Sequence, residues 1–592
     1  RVLFRSINGG SPLILIDGVP GNMDKLNPND IASVTVLKDA AAAAVYGARA
    51  AFGVILVETK RGQKGKMTVT LATEQSLTFP ISLIDPVEDP YEAALGWNMA
   101  TERTNGTPRY DEDYLAGFQR WSENPTEENA WGVYEGSLRR YGYTDYKGMT
   151  IADNSHQQKY DMNISGATED AAYYVSFGYL DKEGWANLPR DKNYMYKRYN
   201  VLMKADFKIN DWLSMDEQIT WSAEHNDQPH FYNWDVNINT VARVSPHTKV
   251  TFPDLPYYLQ PGDRDDYLPY IGQYWLDDLN ALPYWEDGGR NTETEHRLLM
   301  KQGITLTPLK GLRVRGDFSY STYHRERQDV ASKIEAVANT ADLSNLYFEN
   351  GFSGNDWIRN YSNYDQYYVM NAYAEYTVDQ WTNHYIKAMV GYNQEWGRNT
   401  YISAQNNTLI TPLITDLNAT TGTQQTWGSK SHVSLRGVFY RLNYSYKDRY
   451  LLEANGRYDG TSRFPEDDRF GFFPSFSAGW RISNESFMDG ASNWLDNLKI
   501  RASYGTLGNQ LLGSNYYPYI ATMGSGMSPY MMSGAGRIPY VSAAGLVSPS
   551  LTWETVVTKN FGFDIMTLNQ RLDVSFDYSF RDTKDVMMDV EY

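Results

Sequence analysis

From residue 67 onward the dominant pattern is strict alternation of apolar and polar residues, broken at intervals by turns. Val69, Leu71 and Thr73 open it. Tyr160, Met162 and Ile164, then Tyr173, Val175, Phe177 and Tyr179, predict a hairpin turning at 166–170. Tyr199, Val201, Met203, Ala205, Phe207 and Ile209 alternate without a break. The chain then turns at Asn210-Asp211 into Leu213, Met215, Ile219 and Trp221. Further pairs are predicted at 298–306 with 312–322, 368–378 with 386–396, 433–446 with 450–458, 472–482 with 498–504, and 553–565 with 572–580. That makes about fifteen antiparallel strands, each long enough for a tilted crossing of a bilayer, which takes ~9–11 residues.

The connections sharpen this. Those near 210, 309, 381, 448 and 568 are tight, whereas 80–157, 225–295, 323–365, 397–431 and 507–551 are long. Short and long loops alternate in an outer-membrane barrel, whose periplasmic turns are short. A sandwich or propeller has no reason to put every long loop at one end. Within the first long excursion, 85–100 predicts a short helix with Pro90 in its first turn.

Residues 1–66 follow a different rule. Leu13–Ile16 reads as a buried strand stopped by the Asp17-Gly18 turn, and Asn27 before Pro28 suits a helix cap. A second strand at Ser33–Leu37 leads to Asp39, which caps an alanine-rich helix closed by Gly47. Gly53–Thr59 is a third strand. The expectation is a small α/β plug domain over 1–66, followed by a membrane β-barrel over 67–592.

The plug residues closely resemble those of the SusC/RagA family of TonB-dependent outer-membrane transporters. The resemblance rests on Asp17-Gly18-Val19-Pro20, on Asn27-Pro28-Asn29-Asp30-Ile31, on Val36-Leu37-Lys38-Asp39-Ala40, and on the tail Tyr46, Gly47, Arg49, Gly53, Val54 and Ile55. Phe52 departs from the pattern, where a small or polar residue is expected. In the barrel, 173–184, 457–464, 472–480 and 497–510 are similar to the family as well. The resemblance implies an antiparallel barrel of 22 strands when complete. On that reading this chain lacks an N-terminal segment and the last third of the barrel.

Composition removes competing classes. The net charge of −18, with no basic stripe, excludes nucleic acid as a partner. The absence of cysteine excludes disulfide scaffolds and thiolate metal sites, and no apolar run is long enough for a transmembrane helix. His225 and His230 stand near Asp227 without two further ligands, and 263–266 lacks the glycine and final Glu of a calcium loop. No nucleophile elbow or phosphate loop is present, so neither an enzyme, a metal site nor a cofactor is expected.

What remains is ligand capture. With 47 Tyr and 16 Trp, aromatics make up 14% of the chain, and many fall in the long connections beside Asp, Asn and Arg. Trp234, Tyr257, Tyr258, Trp275 and Trp285 cluster in 225–295, and Trp357 and Tyr361 in 323–365. Flat apolar faces beside polar groups suit a ligand with ring faces and hydroxyls; packing of the loops, or of a partner, would enrich the same residues. Asp17, Gly18, Asn27, Pro28, Asp30, Lys38, Asp39, Tyr46, Gly47, Arg49 and Gly53 are expected to be structural. The resemblance implies import of oligosaccharides, with oligopeptides as the runner-up. It also implies a SusD-like surface lipoprotein as lid and the TonB–ExbB–ExbD complex acting through the N-terminal segment. A siderophore or cobalamin receptor, and a soluble glycan-binding β protein, are the alternatives.

Overall fold

The computed structural model describes residues 11–37, 46–47, 52–63, 65–81, 85–230, 244–254, 259, 264–266, 268–275, 280–337, 348–350, 356–378, 381–491, 493–510, 516–532, 536–548 and 550–586. Four short strands come first: β1 (Leu13–Ile16), β2 (Val19–Pro20), β3 (Ile31–Leu37) and β4 (Val54–Thr59). They form one sheet in the order β2-β1-β4-β3, with β1 parallel to β4 and β3 antiparallel to it. Asp17 and Gly18 turn β1 into β2 with φ of 50° and 85°, the left-handed pair that a two-residue hairpin requires. Asn27 does cap a helix, but only a single 3-10 turn over Pro28–Asp30. The alanine-rich helix, with Lys38, Asp39 and Arg49, lies outside the described residues.

The second sheet begins with β5 (Gly65–Thr78). The excursion that follows holds α1 (Pro90–Asn105), α2 (Glu112–Glu123), α3 (Glu127–Ala130), the hairpin β6 (Trp131–Tyr134) and β7 (Ser137–Arg140), and α4 (Tyr146–Thr150). The helix expected at 85–100 thus starts later, at Pro90, because Asp89 caps it by accepting from Tyr91 N. The barrel continues through β8 (Ser155–Ala167), β9 (Ala171–Glu183), β10 (Met195–Lys208) and β11 (Leu213–Pro229). After α5 (Leu282–Glu286) come β12 (Arg290–Leu309) and β13 (Leu312–Ala331), then the small pair β14 (Glu335–Val337) and β15 (Phe348–Asn350). Next are β16 (Trp357–Val378), β17 (His384–Asn407), β18 (Gln425–Tyr446), β19 (Tyr450–Thr461), β20 (Phe470–Arg481) and β21 (Leu495–Asn509). The hairpin β22 (Ser525–Met532) and β23 (Gly536–Val541) precedes β24 (Glu554–Thr567) and β25 (Leu572–Lys584). Fifteen of these make one antiparallel meander from β5 to β25, with β5 and β25 at its edges among the described residues.

Directly paired residues of an antiparallel sheet share a face. Lys204, Gln218 and Lys301 occupy one such row and all reach the plug. That row continues through Ser319, Val369, Glu395, Leu435 and Thr461, all buried, which identifies the luminal face. The intervening residues point outward and form an apolar band that includes Met203, Ile219, Met300, Phe318, Met370, Val438, Leu442 and Phe476. Above it stand outward rings packed on one another, Tyr160–Tyr179–Tyr199 and Tyr368–Trp396; at the tight-turn end are Trp212, Trp381, Trp480 and Trp494. A lipid-facing band between aromatic girdles is the mark of a membrane barrel.

The strands outrun the alternation that predicts them. β17 has 24 residues and β16 has 22, which at ~3.3 Å per residue is far more than a tilted crossing needs. Beyond the girdle the outward positions become His225, Thr294, Glu326, Ser362 and Asn360, so apolar alternation ends while backbone pairing goes on. Trp357 and Tyr361 accordingly lie in β16 and not in a loop.

These boundaries set a depth profile. Val438→Arg, on the lipid face, should destabilise the full-length barrel by about 2–4 kcal/mol, whereas Asn360→Arg, outward but above the girdle, should cost about 0–1 kcal/mol. Denaturant unfolding in vesicles measures both.

Candidate functional site

The plug is held on the luminal wall by its own sequence motifs. Asp17 Oδ1 accepts from Lys204 Nζ at 2.8 Å and from Thr59 N at 3.1 Å; Oδ2 accepts from Thr59 Oγ1 at 2.7 Å and Gln218 Nε2 at 3.0 Å. Its carbonyl accepts from Lys301 Nζ at 2.6 Å. The left-handed Asp17-Gly18 turn presents this one residue to three strands of the wall. Burial pushes the Asp17 carboxyl up, but the Lys204 ammonium and the Thr59 donors outweigh it and hold it below the usual value.

The second motif docks alongside. Asn27 Nδ2 and Asn29 Nδ2 each donate to one oxygen of Asp161, both at 2.7 Å. Tyr174 OH donates to Asp30 Oδ1 at 2.9 Å. Burial raises the Asp30 carboxyl, with nearby Asp161 adding to the shift and Tyr174 opposing it. Lys25 Nζ meets Glu224 at 2.6 Å. On the far side Phe52, the departure from the family pattern, is buried with Leu15 and Val54 against Leu507 and Val556 of the wall. Gly47 (φ +78°) sits so close to Arg457 that a Cβ would lie 2.8 Å from its guanidinium, and Gly53 (φ +93°) faces the Leu37 carbonyl. The wall partners Lys204, Gln218, Lys301, Asp161, Tyr174 and Arg457 were not anticipated from sequence. Their signal was present as the polar residues of the alternating strands.

Above the plug the luminal wall of β12–β18 carries stacked rows. One reads Arg297, Tyr323, Asp365, Asn399; the next Glu295, Arg325, Asn363, Tyr401; the next Glu293, Arg327, Tyr361, Ser403, Trp427; the last Asn291, Asp329, Arg359, Gln405. Acid and base interlock: Arg325 with Glu293 at 2.5 Å, Arg327 with Asp329 at 2.6 Å, Arg297 with Glu295 at 3.1 Å. Arg297 also lies over the Tyr323 ring at 3.9 Å. Aromatic faces beside fixed donors and acceptors make this wall the surface best suited to a polar ligand with apolar faces.

The sequence-predicted contact residues divide sharply. Tyr361 and Trp357 lie on this wall at its mouth. Trp275 and Trp285 do not, and their assignment as contact residues is corrected. They are 0% and 1% exposed, inside two small cores that join the 230–289 connection to the first excursion. Trp275 stacks on Phe252 at 5.0 Å, and Trp285 packs on Trp185. Loops this long need an apolar core to stay ordered, and these indoles supply it. Trp234, Tyr257 and Tyr258 lie outside the described residues.

The same loops carry a buried titratable group. His247 packs between Phe118 (4.7 Å) and Tyr110 (6.0 Å). Burial lowers it to about 4, helped by Arg109, Lys249 and Arg140.

The Asp17–Lys204 pair has side chains only 4% and 3% exposed, so Lys204→Met should weaken plug docking by about 3–5 kcal/mol, because a buried carboxylate loses its partner. Arg61→Ala breaks an exposed pair with Asp206 and should cost about 0–1 kcal/mol. Hydrogen exchange of 13–20 and 54–59 in the full-length protein reads both. The pair's contribution is complete above the ordinary Asp pKa of 3.8 and is lost as pH falls through the lower docked value. His247 acts in a higher window. Its neutral form is favoured in place, so the loop clasp is intact above pH 6.5 and loses about 3 kcal/mol as pH falls towards 4. Exchange at 110–121 and 244–250 should rise between pH 7 and 5, and His247→Phe should abolish that rise.

The fold has known counterparts. Residues 235–591 match the family TonB dependent receptor-like, beta-barrel, and residues 1–54 match the TonB-dependent Receptor Plug Domain. The chain is 25% identical to a TonB-dependent receptor of Formosa agariphila, covering 100% of this chain and 51% of that protein. It is 25% identical to TonB-dependent receptor SusC of Bacteroides thetaiotaomicron, covering 99% and 55%. The chain thus spans about half the length of the curated relatives it matches. The solved RagAB peptide transporter superposes with a TM-score of 0.74 at 21% identity, over 98% of this chain and 62% of that one. The RagAB peptide importer in its 'open-open' state gives 0.75 at 20%, over 98% and 61%. With the barrel family alone spanning more than half of it, the chain belongs to the TonB-dependent receptors, is similar to their SusC and RagA members, and resides in the outer membrane.

Proposed function

We propose that this chain is the membrane channel of an energised importer whose leading cargo is oligosaccharide. The observation that carries the reading is the luminal wall above the plug, where Tyr323, Tyr361 and Tyr401 alternate with Arg, Asp, Glu and amide side chains in fixed rows. Tyrosine faces suit pyranose rings, and the amides and ion pairs suit hydroxyls. Cargo held there would pass when the plug separates from the Asp17 and Asp161 anchors. The TonB–ExbB–ExbD complex would supply the force, acting through a segment N-terminal to the plug. A SusD-like lipoprotein would cover the mouth formed by the long connections.

A second reading is oligopeptide import. It is favoured by the interlocked acid–base rows, which also suit zwitterionic cargo, and by the RagAB peptide transporter among similar folds. Calorimetry on the full-length protein with mixed oligosaccharides and mixed peptides separates the two. We expect saturable binding of an oligosaccharide that Tyr361→Ala weakens about tenfold. Saturable binding of peptides alone would replace the first reading with the second.

A further inference from the structure

Arg359 stands apart from the other arginines of the upper luminal wall. Arg297, Arg325 and Arg327 each hold a carboxylate within salt-bridge distance. Arg359 has none among the described residues. Its register partner across the strand is Asp329, but that carboxylate is turned onto Arg327 at 2.6 Å. The other carboxylates of these rows are also engaged: Glu293 by Arg325 and Arg327, Glu295 by Arg297 and Lys25, Asp365 by Asn363 and Asn399.

Arg359 is instead set among neutral groups. Its Nε donates to Gln405 Oε1 at 2.6 Å, Nη2 donates to the same oxygen, and Nη1 donates to Tyr361 OH at 3.1 Å. The guanidinium carbon lies 4.9 Å from the Trp427 ring centre, 5.5 Å from Trp357 and 5.6 Å from Tyr361. Three rings therefore surround a cation that no described carboxylate meets within salt-bridge distance. Trp427 remains 43% exposed, which leaves indole surface open at the mouth of the lumen. An oriented guanidinium fork pairs bidentately with a carboxylate, and an indole beside it accepts the apolar face of a sugar ring.

Building on the importer reading above, we infer that Arg359, with Trp357, Tyr361 and Trp427, forms a subsite for the carboxylate of an acidic oligosaccharide, a uronate. Sugar is favoured over acidic peptide because the surroundings are rings and amides: Gln405 shares the row of Arg359, Asn363 and Asn399 stand two and three rows further towards the plug, and such amides match ring hydroxyls. Asp329 is paired with Arg327, and Gln405 and Tyr361 take three of the guanidinium's donors, so an arriving carboxylate takes the hydrogens left on Nη1 and Nη2.

The test is calorimetry on the full-length protein in detergent with a short oligogalacturonate, the matching neutral galactose oligomer, and an oligoglutamate. The native protein should bind the oligogalacturonate about 10- to 100-fold more tightly than the neutral oligomer. Arg359→Gln should remove that preference, bringing the oligogalacturonate's affinity down to that of the neutral sugar measured on the same variant, and Arg359→Lys should retain only part of it. Trp427→Ala should weaken both sugars. Heat-modifiable migration confirms that each variant is folded, and none of these changes touches a backbone bond of the barrel. Equal affinity for charged and neutral sugars, or an acidic preference that survives Arg359→Gln, overturns the subsite and leaves oligosaccharide import standing. Tighter binding of oligoglutamate overturns the sugar assignment. Failure to bind either sugar overturns the subsite and the oligosaccharide reading together.

Discussion

Hydrocarbon offers no partner to a backbone N–H or C=O, and the rest of this structure depends on that constraint. Each strand of the fifteen-stranded sheet between its edges β5 and β25 is paired on both sides, so its backbone is satisfied within the sheet. Side chains are then free to differ by face. Outward positions must be apolar or ring-bearing; luminal positions carry no such requirement. Antiparallel register carries each luminal row across many strands, as in Gln218, Lys301, Ser319, Val369 and Glu395. Lower rows hold the plug, by polar contacts on β8–β12 and by apolar ones on β21 and β24, and upper rows face the mouth. The division of labour between docking and ligand contact is therefore one of height along the same strands.

The plug seam is mostly polar, and the magnitudes explain what that achieves. An apolar seam would be stabilised in proportion to area and would tolerate sliding. Buried ion pairs behave differently. The Asp17–Lys204 pair is close to break-even against desolvation when intact, yet costs several kcal/mol when one partner is lost. Such contacts specify one docked position more than they add stability. Asp17 alone accepts from Thr59 of the plug and from Lys204, Gln218 and Lys301 of three neighbouring strands. Under the proposed mechanism, drawing the plug away exposes these groups to water, which satisfies them, so the seam is specific at rest and separable under load.

Much of this fold is legible in the chain. Period-two alternation gives the strands, and the tight turns at 210, 309, 381, 448 and 568 all fall between paired neighbours. The Asp17-Gly18 turn and the Asn27 cap are local and follow from residue type. Strand ends are less legible, because above the girdle both faces are polar and Asn360, Ser362 and Glu326 no longer alternate with apolar neighbours. The plug partners are less legible again. Lys204 is one polar residue among many in alternating strands, and only the folded register brings it to Asp17, 187 residues away in sequence.

The aromatic residues show why composition could not locate the site. Three physical demands enrich the same side chains. Tyr160, Tyr179 and Tyr199 stack on the outer face at the girdle; Phe252, Trp275 and Trp285 build the cores that order the long connections; Tyr323, Tyr361 and Trp427 stand on the luminal wall. Each role suits a large ring, so residue type cannot separate them. Parity within the strand does. Tyr361 and Tyr364 are three residues apart in β16, yet Tyr361 pairs with luminal Arg327 and Ser403 while Tyr364 pairs with outward His324 and Thr400. A single-residue difference in phase decides whether a ring faces the lumen or the outer surface. That phase is fixed by the plug contacts at Lys204, Gln218 and Lys301, so the docked plug, through the register, identifies the luminal face far above it.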